Sequence, residues 1–218
     1  MKRLRIALFI LCFVLSGCGQ KEPSDEQENV KPIVTFQMVP SSNGVEDYIE
    51  PIDNYSEESY GRFYNVVPED ISNAYGVSIF KSDLTCASIL AYDDKYYPLD
   101  RSFGGFGVTS FAITDLNEDG EFELYFTFSY GSGIPRSQVG YFDAASRETE
   151  IFDLENWWGE SLLGEDKDHV LCVYNVDWET DCNIKSFVDI EMSAGDKIAS
   201  IVVDNGKISL IQETDWKQ

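Results

Sequence analysis

Short β-rich runs broken by turn residues, a strong hairpin signal at Asp204-Asn205-Gly206 and a single plausible helix start predict one mostly β domain. Its strands should be antiparallel and its architecture propeller-like or sandwich-like. Taken in order, the expected strands cover residues 33–39, 77–81 and 87–92, with Asp93-Asp94-Lys95 turning the chain into Tyr96-Tyr97. Further strands are expected at 108–114, 122–130, 138–142, 150–154, 170–176, 184–191, 198–203 and 208–212. Each is rich in β-branched and aromatic residues, which suit a pleated, half-buried surface. The one helix start is at 68–74 (PEDISNA), where Pro68 opens the turn and Glu69 and Asp70 place acids in it.

The chain begins with MKRLRIALFILCFVLSGC. A basic start at Lys2, Arg3 and Arg5 leads into a short apolar core and then the small residues before Cys18. The apolar stretch falls short of the roughly 20 residues a permanent membrane helix needs, so it reads as a cleaved signal. Leu15-Ser16-Gly17-Cys18 resembles the bacterial lipobox, which implies cleavage after residue 17 and acylation of Cys18. At about 0.8 kcal/mol per buried methylene, a multi-chain anchor is effectively permanent. The expected location is therefore the bacterial cell envelope, facing outside the cytoplasm, with the membrane as partner through the lipid.

Residues 18–32 contain no aromatic and one large aliphatic, Val30, among Glu, Gln, Pro and Lys. Such a composition buries too little apolar area to offset ordering entropy, so it should form a disordered leash. The folded domain is then 33–218, a length suited to one domain. Without the three basic residues of the signal the chain carries 13 basic against 39 acidic residues, a formal charge of −26. That charge excludes nucleic acid as a direct partner and favours cations, basic partners or simple solubility outside the cell.

Cys12 leaves with the signal, so Cys86, Cys172 and Cys182 remain beside the lipidated Cys18. An exported protein meets oxidising conditions. Cys172 and Cys182 flank VYNVDWETD, a spacing that suits a short closed loop, and their pairing is the expectation. Cys86, in LTCASIL, reads as a buried thiol.

One segment concentrates chemistry. In 115–123 (DLNEDGEFE), Asp115, Asn117 and Asp119 place oxygen-bearing side chains at every second position, and Gly120 follows the third. That pattern curls a loop around a cation, as in the first half of an EF-hand, with the backbone carbonyl of Glu121 supplying a further oxygen. The twelfth position is Phe126, so the bidentate closing carboxylate of an EF-hand is missing, and Glu123 stands at the ninth position instead. Three carboxylates drawn together repel one another unless a cation neutralises them or some are protonated. An all-oxygen donor set suits calcium. The alternative is a turn whose Asx side chains bond only the local backbone.

Phe106-Gly107, the strand SFAIT and then DLNEDGEFEL resemble the FG-GAP or VCBS-type repeat over about residues 106–134. The resemblance implies a strand-loop-strand unit of a propeller blade, with calcium held by Asp115, Asn117, Asp119, the Glu121 carbonyl and Glu123. The family's GAP element is replaced here by Ser129-Tyr130-Gly131-Ser132-Gly133, and the loop occurs once. The segment SYGSGIPRSQVGYFD is also similar to segments of bacterial lipoproteins, a resemblance that implies no activity.

Other signals carry less. His169 is the only histidine and no GxSxG elbow is present, so nothing positions a nucleophile. Trp157, Trp158, Tyr92, Tyr96 and Tyr97 read as core aromatics or as a platform for a sugar or peptide. The leading expectation is a membrane-anchored, calcium-stabilised β domain that is not an enzyme and binds an extracytoplasmic protein or glycan. The alternatives are a cell-envelope hydrolase using carboxylates not singled out by the sequence, and a structural or inhibitory partner of another exported protein.

Overall fold

Strand alternation sets the architecture, because two strands of this chain are apolar or small on both faces. In β6 (Gly107–Thr114) and β7 (Glu123–Tyr130) nearly every side chain is buried, and a strand buried on both faces must lie in a middle layer. The computed structural model describes residues 34–36, 57–99, 104–134, 136–152, 154, 157–179 and 182–213. The expected signal peptide, Cys18 and the expected leash lie outside the described residues.

The middle sheet has the order β1-β6-β7-β8-β9, with β1 at Val34–Phe36, β8 at Arg136–Asp143 and β9 at Glu148–Phe152. On one side lies the sheet β2-β3-β4-β5, formed by Phe63–Asn65, Val77–Ser82, Ser88–Tyr92 and Lys95–Pro98. On the other lies β10-β11-β14-β15, formed by Ser161–Glu165, Leu171–Val176, Ala194–Asp204 and Lys207–Gln212. All paired strands of these sheets run antiparallel. The expected mostly β, antiparallel single domain is what forms, in three stacked layers of the sandwich-like kind and without a closed barrel.

The period of two divides the core. Phe111, Ile113, Leu124, Phe126 and Phe128 point from the middle sheet onto Val77, Ile79 and Leu90 of the first. Their neighbours Ala112 and Tyr125 point the other way, onto Leu163, Val173, Ala199 and Ile201 of the third. At roughly 1.5–3 kcal/mol for each fully buried large apolar side chain, these two interfaces are the main source of stability.

Turn chemistry agrees with the sequence reading. Asp93 and Asp94 adopt φ of 51° and 56°, and Asn205 and Gly206 adopt 52° and 74°, the doubly left-handed geometry of tight hairpins. Helix α2 (Glu69–Tyr75) follows Pro68 and ends at Gly76, whose left-handed backbone lets its N–H donate to the Ser72 carbonyl. Gly107 is required twice over: its φ is 72°, and a Cβ there would lie 2.2 Å from the Cys86 carbonyl oxygen.

Several elements differ from expectation. The helix α1 (Glu57–Tyr60) and the strands β2 and β10 were not anticipated, being short and without a clear alternation. The single strand expected at 184–191 is instead a small hairpin, β12 (Asn183–Ile184) with β13 (Ile190–Glu191). Ser186 breaks that run, because its Oγ accepts from the N–H groups of Val188 and Asp189 and turns the chain locally.

The Cys172–Cys182 pairing is corrected. Both thiols are free: Cys172 lies 3.6 Å from Asp166 Oδ2, while Cys182 Sγ donates to the Asp177 carbonyl at 3.2 Å. Strand β11 carries the chain onward from Cys172 to Val176, about 13 Å at about 3.3 Å per residue, whereas a disulfide tolerates a Cα separation below about 7 Å. In native alkylation, the partly exposed Cys182 should react first and the buried Cys172 only on unfolding. Recovery of a disulfide-linked 172–182 peptide without reduction would contradict this geometry.

Candidate metal centre

The β6–β7 connection curls because its side chains replace the missing ladder bonds. Asp115 Oδ1 and Oδ2 accept from the N–H groups of Asp119 and Gly120 at 3.1 Å each. Asn117 Oδ1 accepts from Asp119 N–H at 2.9 Å, and Asp119 Oδ1 from Glu121 N–H at 2.9 Å. Glu118 at φ 59° and Gly120 at φ 96° supply the left-handed steps that close the curl.

This local bonding brings the carboxylates of Asp115, Asp119 and Glu123 together, with one oxygen from each within 4.8 Å of the others. Asn117 borders the cluster, its amide donating to Asp119 Oδ2 at 3.2 Å. Glu121 joins the loop through its N–H, which donates to Asp119 Oδ1.

Glu123 differs in kind from its neighbours. As the first residue of β7 it is fully buried, and its Oε2 accepts from Leu116 N–H at 2.8 Å and from the Tyr125 hydroxyl at 3.1 Å. Its Oε1 is buried with no hydrogen-bond partner. Burial pushes its pKa up to about 7 against the pull of those two donors, and the charges of Asp115 and Asp119 push the same way. A buried, unsatisfied carboxylate oxygen is costly. A cation between the three carboxylates would remove that cost.

At the opposite end of the β6–β7 hairpin lies a polar junction that nothing in the sequence singled out. Lys81, fully buried on the first sheet, donates from Nζ to the Val108 carbonyl at 2.6 Å. Glu160, just before β10, accepts from Ser129 Oγ at 2.6 Å and Ser137 Oγ at 2.9 Å. Ser137 Oγ in turn accepts from Ser161 N–H, and Ser110 Oγ from Leu163 N–H. Burial pushes the Lys81 amine down to about 7, opposed by the nearby Cys86 and Glu160. Burial also raises the Glu160 pKa, opposed by its two serine donors and by Lys81. The sequence hint was a lysine inside the apolar strand VSIFKS, but no pattern tied it to residue 160.

The remaining candidates divide. His169 is exposed and bonds Glu165 Oε1. Trp157 is buried and Tyr92 packs against Phe122 and Phe142, whereas Trp158 is half exposed beneath the Arg136 guanidinium at 4.1 Å. The aromatic set is thus shared between core and surface.

Comparisons with protein-family models, curated proteins and solved structures give no match. Function is therefore read from the geometry of this chain.

Proposed function

We propose that this protein is a lipid-anchored, extracytoplasmic binding module whose β domain is stabilised by calcium at Asp115, Asn117, Asp119, the Glu121 carbonyl and Glu123. The observation that carries the metal reading is Glu123 Oε1, buried and unpartnered beside two further carboxylates. Oxygen-only donors match a hard cation, and the loose loop favours calcium over the strict octahedron of magnesium. Without a bidentate closing ligand, affinity should fall in the range of about 10⁻⁴ to 10⁻³ M, adequate outside the cytoplasm. The metal's role is to staple β6 to β7 at the centre of the stack.

Equilibrium dialysis tests the site: wild type should bind one calcium per chain, and Glu123→Gln, which keeps the shape and removes the charge, should bind none in the same range. Equal binding by both would defeat the assignment. The anchor rests on the Leu15-Ser16-Gly17-Cys18 segment. Mass spectrometry of the mature N-terminus should show acylated Cys18 in wild type and its loss in Cys18→Ser. An unmodified, soluble wild-type product would remove the membrane from this reading.

A further inference from the structure

A groove of about 640 Å³ runs between the edge strands β5 and β9, where the first and middle sheets part. Tyr97 and Leu99 line one wall, and Gln138, Glu148, Thr149 and Ile151 the other. The Tyr97 ring rests on Phe142 with centroids 4.7 Å apart. Its hydroxyl is buried without a hydrogen-bond partner. Gln138 and Thr149 are partly exposed and Glu148 is exposed, so their polar groups face the solvent of the groove. One buried, unpartnered phenol and three solvent-facing polar side chains therefore line one groove, with Pro98, Leu99 and Ile151 as its apolar lining and Arg147 at its end.

We propose that this groove is the ligand site of the binding module and that it takes a neutral carbohydrate; the assignment rests on the binding-module reading above. A sugar presents hydroxyls that both donate and accept, matching a phenol, an amide, a carboxylate and a threonine hydroxyl. Its C–H faces pack on Leu99 and Ile151. Anionic ligands are disfavoured, because Arg147 at the groove's end is already paired with Asp93 and Glu148 contributes a negative charge. The pair also ties the β8–β9 turn to the β4–β5 turn and so closes that end. An extended peptide is disfavoured because Pro98, in the β5 wall, offers no N–H for a ladder.

Isothermal titration of the detergent-solubilised full-length protein with neutral gluco-, manno- and N-acetylglucosamine oligosaccharides tests the site, with oligolysine as the peptide probe. At least one neutral series should bind saturably. Tyr97→Phe removes only the hydroxyl and keeps the ring on Phe142, and it should weaken binding about fivefold to tenfold. Gln138→Ala and Thr149→Ala should weaken it by similar factors. No saturable binding at millimolar sugar, unchanged affinity in all three variants, or binding of oligolysine alone would each overturn the proposal. Calcium dialysis on the same sample separates the two readings: a chain that binds calcium but no sugar loses the groove and keeps the metal centre. A chain that binds sugar but no calcium does the reverse.

Discussion

Glu160→Ala should lower folding stability by about 2–4 kcal/mol, since it leaves two buried serine hydroxyls without their acceptor, at about 1–3 kcal/mol each. Glu160 accepts from Ser129 and Ser137, and with Lys81 it makes a polar junction among all three sheets. Its loss leaves two buried hydroxyls without their acceptor and Lys81 without a nearby negative charge. The double variant Lys81→Met with Glu160→Leu should recover only the part due to Lys81, because the hydroxyls of Ser129 and Ser137 still lack their acceptor. Urea denaturation at a fixed pH reads both values. A loss below about 1 kcal/mol in Glu160→Ala, the size of an ordinary surface change, would show that the junction is not an energetic linchpin.

Lys81 adds a pH signature with a definite sign. Unfolded, its amine keeps the proton to about 10.5, while the folded chain releases it near 7. Between those values the unfolded state binds more protons, so the cost of burying Lys81 shrinks as pH rises, by about 1.4 kcal/mol per pH unit. Wild type should therefore gain stability relative to Lys81→Met across that window. Glu160 acts in the other sense: its folded pKa lies above 4.5, so its contribution is lost as pH rises from 4.5 through the raised value. The lysine variant retains that second dependence and lacks the first. A wild-type-minus-variant difference that stays flat between pH 7 and 10 would refute the burial argument.

Calcium should raise the melting temperature of wild type by about 3–6 °C when present tenfold above its dissociation constant. Binding the native state alone adds about 1.4 kcal/mol at that concentration, and about 1 kcal/mol corresponds to roughly 2–4 °C for a domain of this size. Glu123→Gln should abolish the shift. It keeps an oxygen to accept from Leu116 N–H, so any loss of metal response is not a loss of loop geometry. Magnesium should substitute poorly, since it holds its waters and demands an octahedron the loop does not supply. A rigorously metal-free sample whose melting is unmoved by millimolar calcium would reduce the loop to an Asx-bonded turn.

Most local signals were legible because their cause was local. The two tight hairpins announced themselves through Asp93-Asp94 and Asn205-Gly206, and α2 through Pro68 and the acids after it, because left-handed φ values and first-turn preferences belong to the residues concerned. The alternating oxygens of 115–119 likewise announced the curl of the loop, whose Asx bonds span at most five residues. The hairpin at 183–191 was missed although its cause is local: Ser186 turns an otherwise strand-like run by bonds that hydrophobic pattern does not register.

By itself the sequence determined a mostly β antiparallel domain, its turns, and which side chains ring the β6–β7 loop, since strand period and turn chemistry act over a few residues. Only the tertiary structure decided that Glu123 keeps a buried oxygen without a partner, that Lys81 and Glu160 face one junction from separate sheets, and that Cys172 and Cys182 stand apart. Only the stacking of the first and middle sheets opens the groove at Tyr97 and Thr149. These are consequences of which layer covers which face, and burial is a property of long-range packing that composition and spacing do not encode.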